Sequence, residues 1–441
     1  MDVRHVALKC LIKILEQSRF YEETFNLYAK EVTNPAELTN LVAGAVKHKG
    51  TLDYYIGKIS SRNIKRLSPE VRNILRLGIY ELEYLKKLDY AAVSSYVELC
   101  KDIDKKSAAF VNAILRNFIR KKDRIMLQRS ELSAVKYFSL KHSHPEWIIQ
   151  NWINSYGEDE TEKICEYNNK PPKLSLRVNT LKISVEKLIK LFEKHEIEFE
   201  KSLFNKNSLI IKNSGNIRKL PGYEEGFWVV QGESSSMVCE VLDPQPGEKI
   251  LDFCAAPGVK TVHIATFMGN TGRITAVDVS LKRIKRITEN CKRLGVEIVE
   301  TVAKDARNVK FEESFDRILV DAPCSNTGVF AARPDARWQK KPEDIDNLSV
   351  LQLELLQCAA QFLKPDGILV YSTCSIEPEE NELLIKSFLN KNEDFILEKF
   401  RPADAFEEAP GILQILQSKH NIDGFFIAKL RKTSDIITKQ A

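Results

Sequence analysis

The sequence predicts three domains in series: an all-α helical bundle, a small α+β domain, and a doubly wound α/β domain with a mostly parallel sheet. The chain of 441 residues is too long for one hydrophobic core. Its first third shows only helical periodicity, whereas the part after residue 232 alternates short runs of Ile, Val and Leu with segments of helix length. We therefore expect domains over residues 1–125, 133–231 and 232–431.

The first domain is predicted from one-sided apolar patterns, which recur at helical spacing near the N-terminus and again after Ser68. Ser68, Pro69 and Glu70 give this second stretch a capping oxygen, a proline at the first helical position and an acid near the positive helix end. A further helix is expected over 107–119. The charged segment 121–132 marks the end of the domain.

The middle domain is predicted to combine two helices with short strands. Helices are expected over 145–155 and 185–195, and strands over 174–179, 209–212 and 227–231. Mixed elements of this kind are typical of an α+β domain.

The third domain is predicted from buried strands that alternate with helices. The expected strands are 249–254, 273–278, 297–302, 315–321, 368–373 and a late strand 424–430. Continuous apolar runs indicate strands buried on both faces of a parallel sheet. Ligands of such a sheet bind beyond the carboxyl ends of its strands, so the loops that follow the strands are the candidate site.

The composition is that of an ordinary globular protein, with 43% hydrophobic and 29% charged residues, which argues against wholesale disorder. The longest apolar runs, such as 227–230 and 368–371, fall far short of the roughly 20 residues that span a bilayer. Lys9 and Lys13 interrupt the first apolar stretch, so no signal peptide is predicted. We expect a cytoplasmic protein without a membrane segment.

The cysteines and histidines predict neither a disulfide framework nor a metal site. The nine cysteines include no C-x-x-C pair, and the seven histidines form no H-E-x-x-H motif. His142 and His144 form an isolated pair. We expect reduced thiols and no metal. The net charge of +5 identifies no partner by itself.

A turn of small residues follows the first strand of the third domain. Ala255, Ala256 and Gly258 would let a ligand approach the backbone closely. Lys260 and the threonine after it resemble the end of a phosphate-binding loop, but Val259 separates the lysine from the glycine. The glycine fingerprint of dinucleotide-binding folds is also absent, so the turn indicates neither a polyphosphate nor a dinucleotide.

Two acids follow the next strands. Asp278 ends the second strand, where nucleoside-binding folds place a carboxylate on the ribose hydroxyls. Asp305 follows the third strand and could meet an adenine edge. Together with the turn, these acids describe a pocket for a nucleoside without a polyphosphate, which fits S-adenosylmethionine.

Two cysteines occupy the loops after the fourth and fifth strands. A free cysteine is usually a small buried hydrophobic residue, and we interpret Cys254 in that way, beside its turn. Cys324 and Cys374 instead have polar or turn-forming neighbours at the predicted ligand-binding edge. Adjacent strand ends would bring them close to each other and to Asp321.

A thiol and S-adenosylmethionine together suggest one reaction. C5 of cytosine is too weak a nucleophile to take a methyl group directly, but addition of a thiolate at C6 makes C5 nucleophilic. Loss of the C5 proton and of the thiolate then restores the ring. Asp321 is the candidate for protonating N3 during the addition, one cysteine would attack, and the other would assist release.

These residues identify a family resemblance that covers almost the whole chain. The motifs that carry it are Phe110-Val111-Asn112-Ala113-Ile114-Leu115-Arg116, His144-Pro145-Glu146-Trp147, Leu176-Arg177-Val178-Asn179, Gln231-Gly232-Glu233-Ser234-Ser235, Cys254-Ala255-Ala256-Pro257-Gly258, Asp321-Ala322-Pro323-Cys324-Ser325, Ser372-Thr373-Cys374-Ser375 and Gly424-Phe425-Phe426-Ile427-Ala428-Lys429-Leu430. In this order they resemble the RsmB/Sun group of bacterial 16S ribosomal RNA cytosine-5 methyltransferases, within the wider NOL1/NOP2/Sun family. The resemblance implies a NusB-like helical domain and a Rossmann-like class I methyltransferase domain.

The resemblance also implies the roles of site residues. Cys374 would be the nucleophile and Cys324 would promote release of the methylated RNA. Related DNA methyltransferases attack with the cysteine of a Pro-Cys motif, so the opposite assignment stays open. The implied cofactor residues are Cys254, Ala255, Ala256, Pro257, Gly258, Val259, Lys260, Asp278, Arg283, Asp305 and Asp321.

Two positions depart from the family pattern. Val259 stands where the family usually has a second glycine, which could tighten the turn without blocking a backbone contact. Ala331 and Ala332 stand where many relatives have paired arginines, which weakens the expected RNA contact beside the target base. Arg333 and Arg337 could supply the missing charge.

The expected partner is 16S ribosomal RNA, bound by a monomer. A thiol cannot reach a cytosine inside a helix, so the target should be flipped or unpaired in a stem-loop. Basic residues of the first domain would bind phosphates, although each could equally be a solvated surface residue. They are Lys58, Arg62, Lys65, Arg66, Arg72, Arg76, Arg116, Arg120, Lys121, Lys122 and Arg124.

Two other functions remain open from the sequence. The same chemistry could act on transfer RNA or on another ribosomal RNA site. Alternatively, the chain could be a NusB-like RNA-binding antitermination or assembly factor that has lost catalysis, although the intact Asp321, Cys324 and Cys374 argue against this.

Overall fold

The computed structural model describes residues 2–60, 62–212 and 215–434. The chain divides into two units. Unit 1 comprises Met1–Pro171 and Phe330–Pro342, and unit 2 comprises Pro172–Val329 and Glu343–Ala441. The three sequence-based domain boundaries remain predictions, because this division groups the segments differently.

Unit 1 is helical. Its helices before the small sheet are α1 Val3–Leu11, α2 Tyr21–Tyr28, α3 Pro35–Lys47, α4 Lys49–Ile59, α5 Pro69–Glu83, α6 Asp89–Ile103, α7 Ala108–Lys121, α8 Ala134–His142, α9 Glu146–Tyr156 and α10 Glu158–Asn169. The predicted start of α5 is confirmed: Ser68 Oγ accepts a hydrogen bond from Val71 N at 3.3 Å, and Pro69 is the first helical residue. The inward faces of α5 and α7 meet in one apolar core that includes Leu75, Leu115 and Phe118.

The segment Phe330–Pro342, which lies between two stretches of unit 2 in sequence, belongs structurally to unit 1. It contains a short helix, Ala336–Gln339, and the fully buried Arg337. The Arg337 guanidinium donates to the carbonyl oxygens of Lys47, Ser143 and Asn168 at 3.1–3.3 Å and to Asn169 Oδ1 at 2.9 Å. The prediction that Arg337 supplies charge to RNA is therefore wrong, since a guanidinium buried among these oxygens is not available to a phosphate. Arg333 is exposed, and its RNA contact stays a prediction.

Arg337→Met is expected to destabilise unit 1 by about 3 kcal/mol, because several buried carbonyl oxygens lose a charged donor at once. Urea unfolding followed by tryptophan fluorescence measures this change, since Trp147, Trp152 and Trp338 lie in unit 1. The exposed Arg333→Met serves as the matched control. Equal unfolding midpoints for the two variants would contradict the anchoring role of Arg337.

Unit 2 begins with a small antiparallel sheet of β1 Leu174–Val178, β2 Phe199–Lys201, β3 Ser208–Ile211 and β4 Trp228–Val230. Its strand order is β2-β3-β1-β4. Helix α11, Val185–Lys194, contributes Leu188 and Phe192 to the apolar core beside it. The sequence predicted these elements except β2, which has only three residues and no apolar run to mark it.

The larger sheet of unit 2 has eight strands. They are β5 Lys249–Phe253, β6 Arg273–Asp278, β7 Val299–Ala303, β8 Phe315–Asp321, β9 Leu363–Thr373, β10 Phe395–Leu397, β11 Ile412–Ile415 and β12 Phe425–Lys432. The order is β10-β12-β9-β8-β5-β6-β7, and β11 also pairs with β12. Strands β5 to β9 pair in parallel, whereas β12 runs antiparallel to β9, β10 and β11. The predicted doubly wound, mostly parallel sheet is thus confirmed.

Helices of unit 2 flank this sheet. They are α12 Glu233–Leu242, α13 Val259–Phe267, α14 Leu281–Leu294, α16 Pro342–Gln361, α17 Glu382–Lys391 and α18 Gln417–His420, whereas α15 is the short helix Ala336–Gln339 of unit 1. Apolar side chains on the two sheet faces form separate clusters, one with Ile264 and Ile287 and the other with Leu356 and Phe388. Among the described residues, the helices are all too short or too polar to cross a bilayer.

Candidate active site

The carboxyl ends of β8 and β9 bring the two predicted cysteines together. These strands pair in parallel with Asp321 opposite Ser372, so the loops after them leave the sheet side by side. Cys324 Sγ lies 3.2 Å from Cys374 Sγ. The shared location expected from the sequence is therefore present.

The two thiols have different surroundings. Cys324 is 7% exposed, whereas Cys374 is half-buried and lies 3.3 Å from Asn326 Oδ1. The hydrogen bond to Cys374 and burial raise the pKa of Cys324 well above its ordinary value. Cys374 is therefore the less buried of the two cysteines.

Asp321 forms an ion pair that sequence reasoning missed. Lys260 Nζ donates to its Oδ2 at 2.7 Å, and Ser372 Oγ donates to its Oδ1 at 2.8 Å. Burial lowers the pKa of Lys260, but the charge and hydrogen bond of Asp321 outweigh this and leave the pKa raised. The Lys260 ammonium also lies 5.2 Å from the centre of the Phe425 ring. The position of Lys260 in the sequence, just after a glycine-containing turn, does not indicate which carboxylate it would pair with.

The predicted turn after β5 lies closely against neighbouring backbone. Gly258 has a φ of +92°, and a Cβ there would lie 3.0 Å from the Cα of Ile287 in α14. Ala255 N donates to Val277 O at 3.0 Å. Cys254 is half-buried, and desolvation raises the pKa of its thiol to about 12, which suits the predicted packing role better than a reactive one.

Asp278 and Arg283 line the same edge of the sheet. Asp278 Oδ2 accepts from Ala256 N at 3.2 Å and lies 3.4 Å from Arg283 Nη2. Arg283 also donates to Ala256 O at 2.8 Å. The pair therefore fixes the turn, while Asp278 Oδ1, which accepts from Ser280 N at 3.1 Å, keeps a second lone pair for another donor.

Asp305 has a partner that the sequence did not reveal. Arg307 N and Nε donate to its Oδ1 at 3.0 and 3.1 Å, and Nη2 donates to its Oδ2 at 2.7 Å. These hydrogen bonds lower the pKa of Asp305. Its carboxylate is still about a third exposed and can accept one more hydrogen bond.

These residues fit a nucleoside. Asp278, Asp305 and Asp321 follow neighbouring parallel strands, so their carboxylates stand along one edge of the sheet with the close-approach turn between them. Hydroxyl and amino groups suit such acceptors, whereas a polyphosphate would meet three carboxylates whose neighbouring cations are already paired with them.

Comparison with known proteins identifies the family. Residues 239–431 match the profile described as 16S rRNA methyltransferase RsmB/F, residues 1–120 match the NusB family, and residues 144–218 match the RsmF/B-like ferredoxin-like domain. A Bacillus subtilis protein named "Probable ribosomal RNA small subunit methyltransferase B" is 38% identical over 98% of this chain and 99% of its own. The chain belongs to the RsmB/F methyltransferase family. It is a ribosomal RNA methyltransferase with a NusB domain, as the sequence resemblance implied.

Solved structures agree with this assignment. The crystal structure of PH0851 has a TM-score of 0.78 and 32% identity, covering 97% of this methyltransferase and 99% of that chain. The structure of NSun6 from Pyrococcus horikoshii with SFG has a TM-score of 0.60 and 27% identity, covering 66% of this chain and 99% of that one.

Two of the basic residues predicted to bind RNA are instead internal partners in this methyltransferase. The nearly buried Arg76 donates to Asp53 Oδ1 at 2.7 Å and to Glu16 Oε1 at 3.1 Å. Arg72 donates to Glu16 Oε2 at 2.5 Å. The prediction that Arg72 and Arg76 hold phosphates is therefore wrong, because both guanidinium groups form ion pairs with carboxylates inside unit 1. The other basic residues predicted for that role, including Lys58, Arg62 and the cluster near Arg120, remain candidates.

One group among the described residues has the ligand types of a metal site. Atoms of His142, Glu162 and Glu166 lie within 4.8 Å of one another. Lys141 Nζ donates to Glu162 Oε1 at 2.7 Å, and His142 Nε2 lies 3.3 Å from the same oxygen. The Lys141 ammonium thus already pairs with the Glu162 carboxylate. The absence of a metal site stays a prediction.

The buried carboxyl group of Asp252 is expected to make the stability of the folded protein depend on pH. It is fully buried in β5, where Thr261 Oγ1 donates to its Oδ2 at 2.6 Å, and its Oδ1 has no hydrogen-bond partner among the described residues. Burial raises the pKa of Asp252 to about 7. The folded protein binds the Asp252 proton more tightly than the unfolded chain does. The contribution of this protonated group to the free energy of unfolding is therefore full below a pH of about 4, where the group is also protonated in the unfolded chain, and is lost as the pH rises through about 7.

Asp252→Asn is therefore expected to gain stability relative to the wild type as the pH rises from 5 to 8. The uncharged amide keeps an oxygen for Thr261 and has no charge to desolvate. Thermal melting at several pH values measures the difference. A constant difference between the two proteins across this range would contradict a neutral, buried Asp252.

Proposed function

We propose that this methyltransferase transfers a methyl group to C5 of a cytosine in 16S ribosomal RNA through a covalent bond between Cys374 and C6. The observation that carries the proposal is the 3.2 Å separation of the Cys374 and Cys324 sulfur atoms, at the strand ends beside Asp321. A methyl transfer to an oxygen or to an exocyclic amine needs no sulfur nucleophile. Two thiols in one ligand-binding edge suit a reaction that forms and then breaks a carbon–sulfur bond.

The site residues divide this reaction into separate tasks. Cys374 is the nucleophile, because it is the more exposed thiol. Asp321, with a side chain that is 31% exposed, can reach a base and hydrogen-bond N3. The proton that the Cys374 thiol loses on attack passes through the Asp321 carboxylate to N3 as C6 accepts the sulfur, and the Lys260 ammonium, with Nζ 2.7 Å from Asp321 Oδ2, holds that carboxylate in place.

Cys324 takes part in the second half of the reaction. After methylation the ring carries both a methyl group and a proton on C5; that proton passes to solvent water, and the electron pair that it leaves behind expels the Cys374 sulfur from C6 as a thiolate. The Cys324 sulfur is next to the bond that has to break, 3.2 Å from Cys374 Sγ. We therefore assign Cys324 to release of the methylated RNA.

We propose S-adenosylmethionine as the methyl donor. Its bound sulfonium would supply an electrophilic methyl group. The related NSun6 was solved with SFG, an S-adenosylmethionine analogue. In this chain, Asp278 would accept hydrogen bonds from the ribose, Asp305 would face the adenine, and the turn from Cys254 to Lys260, with Arg283 bracing it, would lie along the nucleoside.

Methylation of purified RNAs with tritiated S-adenosylmethionine, followed by bisulfite sequencing, tests this function. The expected result is label in 16S ribosomal RNA and one protected cytosine. Label in transfer RNA or 23S ribosomal RNA alone would reject the substrate, and label without a protected cytosine would reject the C5 chemistry.

A further inference from the structure

A buried carboxylate lies directly behind the two cysteine loops. Glu380 ends the short 3-10 helix Pro378–Glu380, and its side chain has no exposed surface. The sequence gives no hint of this, because Glu380 stands in the acidic run Glu377-Pro378-Glu379-Glu380, which looks like a solvated surface. Its neighbour Glu379 is exposed, as such a run predicts.

Donors from both cysteine loops converge on this carboxylate. Ser325, which follows Cys324, donates its backbone N–H to Glu380 Oε1 at 2.9 Å and its hydroxyl to Oε2. Ser375, which follows Cys374, donates its hydroxyl to Oε2 at 2.5 Å. One side chain therefore holds the residue after each cysteine.

Further hydrogen bonds extend the same connection. Gln352 Nε2 donates to Glu380 Oε1 at 2.8 Å and to the carbonyl oxygen of Pro323, the residue before Cys324, at 2.9 Å. The hydroxyl oxygens of Ser325 and Ser375 lie 3.0 Å apart. Tyr371 Oη donates to the backbone carbonyl of Glu380 at 2.7 Å, which ties the backbone of Glu380 to β9.

The energetics favour a role in holding the loops. A buried carboxylate is costly unless donors satisfy it, and the four hydrogen bonds described above come from neutral groups: two hydroxyls, one backbone amide and one side-chain amide. If either loop moves, the carboxylate loses a donor inside the protein, where water cannot replace it. Glu380 thus resists any separation of the loops.

We propose that Glu380 is a positioning residue that sets the distance between the Cys374 and Cys324 sulfur atoms. Its side chain is fully buried, so it acts through the two cysteine loops rather than directly on RNA or the methyl donor. The effect of this positioning on catalysis rests on the proposed function, in which both sulfur atoms must reach the same pyrimidine ring. The geometric part of the proposal stands on the hydrogen bonds alone.

A thiol cross-linking measurement tests the geometry without RNA. The diazene diamide oxidises two adjacent thiols: one S–S bond forms, the two thiols give up two protons and two electrons, and the N=N group is reduced to a hydrazine. Peptide mass mapping follows the Cys324–Cys374 disulfide. Glu380→Ala is expected to form it at least about tenfold more slowly than the wild type, whereas the exposed Glu379→Ala should match the wild type, because a displacement of about 1 Å is enough to disturb reactive geometry.

Steady-state kinetics tests the catalytic consequence. Glu380→Ala is expected to lower kcat by about 100-fold with little change in KM for RNA, since the loops are misplaced but the binding surfaces remain. Glu380→Gln should recover most of the lost rate, because its amide keeps an acceptor for Ser325 N and Gln352 and can donate to both serine hydroxyls. A general loss of folding would not be restored in this way.

The outcomes separate the two proposals. If the wild type methylates no cytosine, the proposed function fails, but the disulfide rates of Glu380→Ala and Glu379→Ala still decide the positioning role. If Glu380→Ala does not fold, Ser375→Ala replaces it, because it removes one loop's hydroxyl and leaves the carboxylate with its other donors. Equal disulfide rates in the folded variant and the wild type would overturn the proposal, and so would an unchanged kcat.

Discussion

Replacement of Cys374 by alanine is expected to reduce methyl transfer by about 10⁴-fold or more while S-adenosylmethionine binds as before. Without the sulfur, C6 has no nucleophile to accept and C5 stays too electron-poor to attack a methyl group. The residues proposed to hold the cofactor, such as Asp278 and Asp305, follow other strands and keep their partners. Single-turnover transfer of tritiated methyl groups measures the rate, and calorimetric titration measures cofactor affinity.

The matched control for this variant is Cys358→Ala. Cys358 is a half-buried thiol of the same unit, in α16, and its Sγ lies 3.3 Å from Ala306 O rather than at the strand ends. It should methylate at the wild-type rate. Turnover by Cys374→Ala within about tenfold of this control would remove Cys374 from the nucleophile's role, since loss of covalent catalysis costs far more.

The fold was largely predictable from the sequence because its signals are local. Parallel strands buried on both faces read as apolar runs, and the five predicted parallel strands each overlap an observed one. The start of α5 was set by Ser68 and Pro69. β2 was missed because its three residues make no pattern, and its place depends on pairing with β3.

The grouping of segments was less predictable, since it depends on distant contacts. Nothing local in the segment around Arg337 shows that it packs with α3, α8 and α10. An arginine in a polar segment looks the same whether it faces a phosphate or a buried carbonyl oxygen. The sequence therefore predicted charge for RNA where the structure has an internal anchor.

The candidate site divides in the same way. The sequence predicted that four site residues lie close together, because residues at the carboxyl ends of parallel strands share one edge of the sheet. They are Asp278, Asp321, Cys324 and Cys374. Residues that reach this edge from other parts of the chain could not be predicted from the sequence. Glu380 is an example: its burial follows from how the loop after β9 folds back, which no spacing rule encodes.

Replacement of Cys324 by alanine is expected to trap the enzyme on its RNA. Attack by Cys374 and methylation can proceed, but loss of the C5 proton and of the Cys374 sulfur would stall. A protein–RNA band that survives denaturing electrophoresis should therefore accumulate, and sequencing of the trapped RNA would identify the nucleotide. The double variant Cys324→Ala/Cys374→Ala should lose the band, because the bond to RNA is made by Cys374.

This experiment also decides between the two assignments of the cysteines. Their sulfur atoms lie 3.2 Å apart, so distance alone gives either one access to the same ring. Burial separates them: Cys324 is 7% exposed and its pKa is raised well above the ordinary value, which leaves little thiolate to attack with. A stable band in Cys374→Ala and none in Cys324→Ala would show that the buried thiol attacks nevertheless, and would exchange the two roles.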